Sequence, residues 1–390
     1  MSYKPIALNN ISCSLLYHYD DKDDVYSIGN IEKDKYIEVK ESNKDAILYT
    51  IKQLNGKNTI DEVEQLVREK IKCKINVQEL VKILEKAALL EEIDEKKVER
   101  GEFDILSLNL VKYELLRYEN IFKRLKVLVN PFKVIVIILS VIALLYGNIL
   151  SHIKNLNIFE LSNNHIFIFV ATLIIMGISM FIHEISHGVV AYKYGLIPKQ
   201  LVISLYLCIT PIVYLKIPGI YTVNPKTRIR IWSAGIVSNL FLASLSIIIY
   251  NIMGQFGASE IISKLFLLSF YVNFVLIVSN LFPLLPLDGY FILSTLMKKP
   301  NLRKQSFVDF KNMVLGKKVK FKAVYFIYFL LSIGIMVYIF GSQVFNAYTI
   351  FITNLKISDN FIESLWAIKF YIIIILLFVV SKIKRFISIG

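Results

Sequence analysis

One stretch of the chain, IIMGISMFIHEISHGVVAYKYG, holds two histidines and an acid whose spacing could do chemistry. His183 and His187 are four residues apart, so on a helix they lie one turn apart on one face, and imidazoles so placed can share a divalent metal ion. Glu184 stands beside them, off the metal, where its carboxylate could take a proton from an attacking water. With five histidines and 31 acidic residues in 390, chance would produce this pattern about 0.005 times in such a chain. The surroundings are apolar, and an ionisable group at mid-membrane costs about 2.5–3.5 kcal/mol. Three polar side chains together there need compensation, which a zinc ion held by two neutral imidazoles and a carboxylate would give.

Catalytic zinc normally takes three protein ligands and leaves a fourth position open, so a further ligand is required. Asp288, in NLFPLLPLDGY, is the best candidate. Asn280, Pro283 and Pro286 would open the helix before it and free backbone groups there. Taken alone, without the histidines, Asp288-Gly289 reads better as a turn dipeptide. Depth favours the ligand: seventeen residues on from Ile166, His183 lies about 26 Å along a helix, near the membrane edge where the span carrying Asp288 also ends.

The elements that must position these groups follow from composition. The chain is 55% hydrophobic and 19% charged, with the charges bunched, which predicts a soluble piece joined to a polytopic α-helical membrane piece. About six spans are expected, near 131–150, 166–190, 231–253, 261–282, 323–341 and 366–381. The first ten residues lack a signal-peptide pattern, so the first span is expected to do the targeting.

The net charge of +14 is explained by topology, without nucleic acid as a partner. Basic clusters at Lys123–Lys133, Lys226–Arg230, Lys298–Lys322 and Lys382–Arg385 all fall on one side, while the opposite loops hold Lys154, Lys264 and Lys356. Both termini are therefore expected in the cytoplasm. Cys13, Cys73 and Cys208 are too scattered for a disulfide framework or a thiolate zinc site.

Residues 1–100 read as a small soluble domain. VYSIG and YIEV form short strands around a polar turn, and three helices follow: AILYTIKQL, a second opened by Thr59 with Ile60, Val63 and Leu66, and a third opened by Asn76 with Leu80, Ile83 and Leu84 on one face. This α+β arrangement, above all ILYTIKQLNGKNTIDEV followed by ALLEEI, resembles the PqqD-like domains that bind leader peptides of ribosomally made, modified peptides. The resemblance implies a winged-helix-like domain that pairs an extended leader with a sheet edge. A generic adaptor is the alternative, and the third helix is too balanced in charge to suit DNA. Residues 101–130 read as a juxtamembrane linker with helical character, and 131–390 as the membrane domain.

HEISHGVVA together with NLFPLLPLDG resembles the paired motifs of the site-2 protease family of intramembrane zinc metalloproteases, over about residues 166–297. The resemblance implies His183, His187 and Asp288 as zinc ligands, Glu184 as general base, and a substrate-facing role for Asn280. SAGIVSNL, with Gly235 and Asn239, is similar to the family's looser third motif, although Ile236 replaces a common proline. Asn239 therefore reads equally well as a substrate contact or as an interhelical hydrogen bond. Between the motifs, residues 196–222 are apolar but broken by Pro198, Pro211 and Pro218, and read as re-entrant strand or loop.

The expected activity is that of a bacterial membrane endopeptidase maturing a peptide precursor such as a bacteriocin, alongside an exporter or modification enzyme. Regulated cleavage of a membrane signalling protein is a second reading. A non-proteolytic export or immunity component is a third, which retention of Glu184 disfavours.

Overall fold

The structure, a computed structural model, describes residues 3–20, 22–71, 75–91, 107–154, 165–206, 210–257, 259–299, 301–317, 322–358, 360–362, 368, 372 and 376. The chain is mostly helical, with two three-stranded sheets. Three strands, β1 (Ile11–Tyr17), β2 (Val25–Asn30) and β3 (Lys35–Lys40), form an antiparallel meander in the order β1-β2-β3, with Ile28 opposite both Cys13 and Ile37. The sequence expectation covered β2 and β3 but not β1.

Helices α1 (Glu41–Gln53), α2 (Ile60–Ile71) and α3 (Val77–Lys86) follow. Each of the last two begins at a side chain that satisfies an otherwise orphaned N–H. At α2 the pairing is reciprocal: the Glu62 N–H donates to Thr59 Oγ1 at 3.3 Å, and the Thr59 N–H donates to Glu62 Oε2 at 2.7 Å. At α3 Asn76 Oδ1 accepts from the Glu79 N–H at 3.0 Å. The strands and helices enclose Ile28, Ile37, Val39, Ile51, Val63, Val67, Leu80 and Leu84. Ile83, expected on the buried face of α3, is 44% exposed, and Val81 takes its place in the core.

The rest of the chain runs β4 (Ser107–Glu114), α4 (Glu119–Leu125), α5 (Val129–Tyr146), α6 (Ile149–Lys154), α7 (His165–Lys193), β5 (Gln200–Tyr206), β6 (Thr210–Lys216), α8 (Pro225–Gln255), α9 (Glu260–Leu281), α10 (Asp288–Leu296), α11 (Leu302–Val314) and α12 (Ala323–Ser358). Five helices among the described residues are long and apolar enough to cross a membrane: Leu116–Tyr146, Ile166–Lys193, Pro225–Gln255, Glu260–Leu281 and Ala323–Lys356. The first starts well before the expected residue 131, so the helical part of the juxtamembrane segment is continuous with it. Its other part is a strand, β4, which pairs with β5 in the sheet order β4-β5-β6. The sixth expected span, 366–381, lies almost wholly outside the described residues.

Two compact units emerge. The first comprises 1–101, 114–201 and 215–275; the second comprises 102–113, 202–214 and 276–390. Within the first, α8 packs against α7 and α5. Small hydroxyls tie its helices together: Ser140 meets Ser244 at 3.2 Å between α5 and α8, and Ser246 meets Ser269 at 2.9 Å between α8 and α9. Helix α8 starts cleanly because Asn224 Oδ1 accepts from the Thr227 N–H at 2.8 Å and Pro225 supplies a preset φ in the first turn.

In the second unit, Tyr290, Leu302 and Tyr328 form a small core where α10, α11 and α12 meet. The Tyr328 hydroxyl donates to the Pro283 carbonyl at 3.1 Å, satisfying a backbone group freed by the broken chain ahead of α10.

Candidate metal centre

His183 and His187 project from one face of α7, both buried, with ring centroids 4.8 Å apart and planes at 79°. Their setting comes from α8. His187 Nδ1 lies 2.7 Å from the Ile231 carbonyl, which can only accept, so Nδ1 carries the proton and Nε2 keeps its lone pair. Trp232 stands edge-on to the same ring, with centroids 6.4 Å apart.

His183 Nδ1 faces the amide of Asn239, with Nδ2 3.0 Å from the ring nitrogen and Oδ1 buried and lacking a hydrogen-bond partner. Turning the amide by 180° makes Oδ1 the acceptor of an Nδ1–H and leaves the His183 Nε2 lone pair available, as at His187. Asn239 is itself fully buried. It is therefore an interhelical hydrogen-bonding group directed at a histidine.

Gly235 completes this face of α8. A Cβ there would lie 2.3 Å from His183 Nε2 and 2.4 Å from Cε1, so a residue without a side chain is what makes room for the ring. On α7, Gly188 similarly brings Phe122, Pro198 and Leu215 close behind His187. The partly buried Glu184 carboxylate accepts the Leu215 N–H through Oε2 at 2.9 Å.

Asp288 belongs to the second unit, where it is the buried first residue of α10. Its neighbour Gly289 allows the chain to double back tightly: a Cβ there would lie 2.6 Å from the Leu281 carbonyl oxygen and 2.7 Å from that of Asn280. The Asn280 side chain donates to the Leu276 carbonyl at 3.0 Å, within its own helix. Asp288, like His183 and His187, is a buried residue of a type able to ligate a metal ion.

The donor set fits zinc. Two imidazoles with protonated, hydrogen-bonded Nδ1 atoms offer Nε2 lone pairs, a carboxylate is the ordinary third donor, and the glycine cradle preserves space at Nε2. The other histidines stand elsewhere: His18 bonds Asp24 at 2.9 Å and His152 packs edge-on to Tyr250.

Sequence reasoning did not find Ile231, whose contribution is a backbone carbonyl that leaves no trace in residue type. It also did not find Arg228, which is fully buried and donates to the Leu16 carbonyl at 2.6 Å. In comparisons with known proteins, no family model, curated protein or solved structure matches this chain.

Proposed function

We propose that this chain is a membrane zinc endopeptidase of the site-2 protease type that cleaves a peptide precursor, with residues 1–100 as a PqqD-like domain holding the leader. The observation that carries the reading is the pair of buried histidines whose Nδ1 atoms are both engaged by α8, a setting that directs two Nε2 lone pairs outward. His183, His187 and Asp288 would hold the metal. Bound zinc supplies Lewis acidity that polarises a scissile carbonyl and makes water a better nucleophile at neutral pH.

The chain's own residues do the rest. Glu184, beside the pair and oriented by the Leu215 N–H, takes the proton of the attacking water and returns it to the departing amine. Ile231 and Asn239 hold the imidazoles in the tautomer a ligand needs. The edge strand β6 offers main-chain donors and acceptors to an extended substrate, and extension matters because a helical peptide bond is shielded from attack. The five apolar helices and the basic clusters support a cell-membrane location with the amino-terminal domain in the cytoplasm.

Mass spectrometry of a candidate precursor coexpressed with the wild-type chain or Glu184→Gln tests the proposal, with zinc content and membrane level measured in both. Loss of cleavage by at least about 100-fold with zinc retained is expected. Identical products from both chains would refute proteolysis here and favour the export or immunity reading.

A further inference from the structure

Arg228 heads the fully buried side chains by size among the described residues, yet it sits in the first turn of a helix where an exposed basic residue would serve topology as well. Its Nη2 donates to the Leu16 carbonyl of β1, and its guanidinium lies 4.7 Å from the Tyr17 ring centroid and 5.8 Å from that of Tyr221. Nε and Nη1 have no hydrogen-bond partner. Burying a guanidinium is costly, and the groups that compensate it, the Leu16 carbonyl, Tyr17 and Tyr221, all lie outside α8, so stability of α8 alone does not account for it.

What Arg228 does is bind the amino-terminal sheet to α8. Two further contacts, the Gly219 N–H to Asp34 Oδ1 at 3.1 Å and Lys199 Nζ to the Glu32 carbonyl at 3.2 Å, join the β2–β3 turn of the same sheet to the chain just ahead of α8 and to the chain just ahead of β5. From Arg228, steps of three, four and four residues reach Ile231, Gly235 and Asn239, which share one face of α8. Those three positions fix both histidine rings: the Ile231 carbonyl holds His187, Gly235 admits His183, and Asn239 bonds it. A helix transmits displacement along its axis, and a hydrogen bond of 2.7 Å does not survive a slide of about 1 Å unchanged.

We infer that Arg228 is a positioning residue through which the docking of the amino-terminal domain on α8 sets the orientation of His183 and His187, so that a peptide shifting that domain alters the metal affinity of the pair. The inference rests on the reading of these histidines as zinc ligands.

The test uses the full-length chain in detergent micelles, with zinc affinity measured by chelator competition and amide hydrogen exchange followed over residues 225–235. Arg228→Met should weaken zinc binding about tenfold and speed exchange over the first turns of α8, with Arg228→Lys falling between it and wild type. Asp34→Ala, which leaves α8 untouched and loosens only the docking, should move both readouts in the same direction by a smaller factor. It carries the test if Arg228→Met does not fold. A purely structural role would lower the yield of folded protein but leave the zinc affinity of the folded fraction unchanged. Wild-type zinc affinity and unchanged exchange in the folded variants would overturn the inference. A wild-type chain that binds no zinc would instead refute the proposed function, while the exchange measurement would still decide the link between the domain and α8.

Discussion

Gly235 shows how much the seating of a buried histidine can depend on an absent side chain. Gly235→Ala adds one methyl group well inside the van der Waals surface of the His183 ring, 2.3 Å from Nε2. The ring must then turn away and lose the Asn239 contact at Nδ1. Zinc affinity is expected to fall by about 10–100-fold, with the membrane level of the protein unchanged, as measured by metal analysis of purified chains. The four-residue spacing made it legible from sequence that His183 and His187 share one face of a helix, as they do on α7. Arg228 was not legible. A basic residue ahead of a span reads as a topology marker, and the carbonyl that makes it structural comes from a residue 212 positions away. Ile231 was hidden for a different reason: every residue has a carbonyl, and only geometry distinguishes the one that holds a histidine.

At the level of elements, helix starts were the most readable feature, since capping uses side chains close in sequence to the N–H groups they satisfy. Thr59 and Glu62 bond reciprocally at α2, and the hydrogen bonds to Glu62 from the Thr59 N–H and hydroxyl hold its carboxyl below the ordinary value. The folded state therefore binds this proton less tightly than the unfolded chain. Its contribution to stability is fully present above the unfolded pKa of about 4.3 and is lost as the pH falls towards the folded value. Hydrogen exchange over residues 60–71 should accordingly quicken as pH drops below about 4.5, after correction for intrinsic rates, and Thr59→Ala should weaken this dependence. Strands were less readable than caps. β2 and β3 have alternating, locally paired sequences, whereas SLNLVKYE of β4 lies in a charged stretch and pairs with a strand beyond two apolar helices. Periodicity cannot reveal a partner that distant, so this segment read as linker.

Across the whole molecule, the pairing of β4 with β5 constrains how the chain can thread a bilayer. Hydrogen-bonded strands lie on one side, so the chain between them crosses an even number of times, which the two apolar helices Leu116–Tyr146 and Ile166–Lys193 provide. The amino-terminal domain and the following sheet then share one side, which under the proposed topology is the cytoplasm. Cys13 is exposed on that domain. In a chain with Cys73→Ser and Cys208→Ser, it should react with a membrane-impermeant maleimide only after cells are opened; labelling of intact cells would reverse the assigned orientation. The same pairing also sets a timetable for biosynthesis. Glu114, at the end of β4, bonds Gln200, at the start of β5, across 86 positions. At roughly 5–20 residues per second, a ribosome needs about 4–17 s to deliver the second strand after the first. Throughout that interval β4, with Leu110, Val111 and Tyr113 exposed, is an unpaired apolar strand, and its safe arrival depends on the two apolar helices that follow it folding quickly.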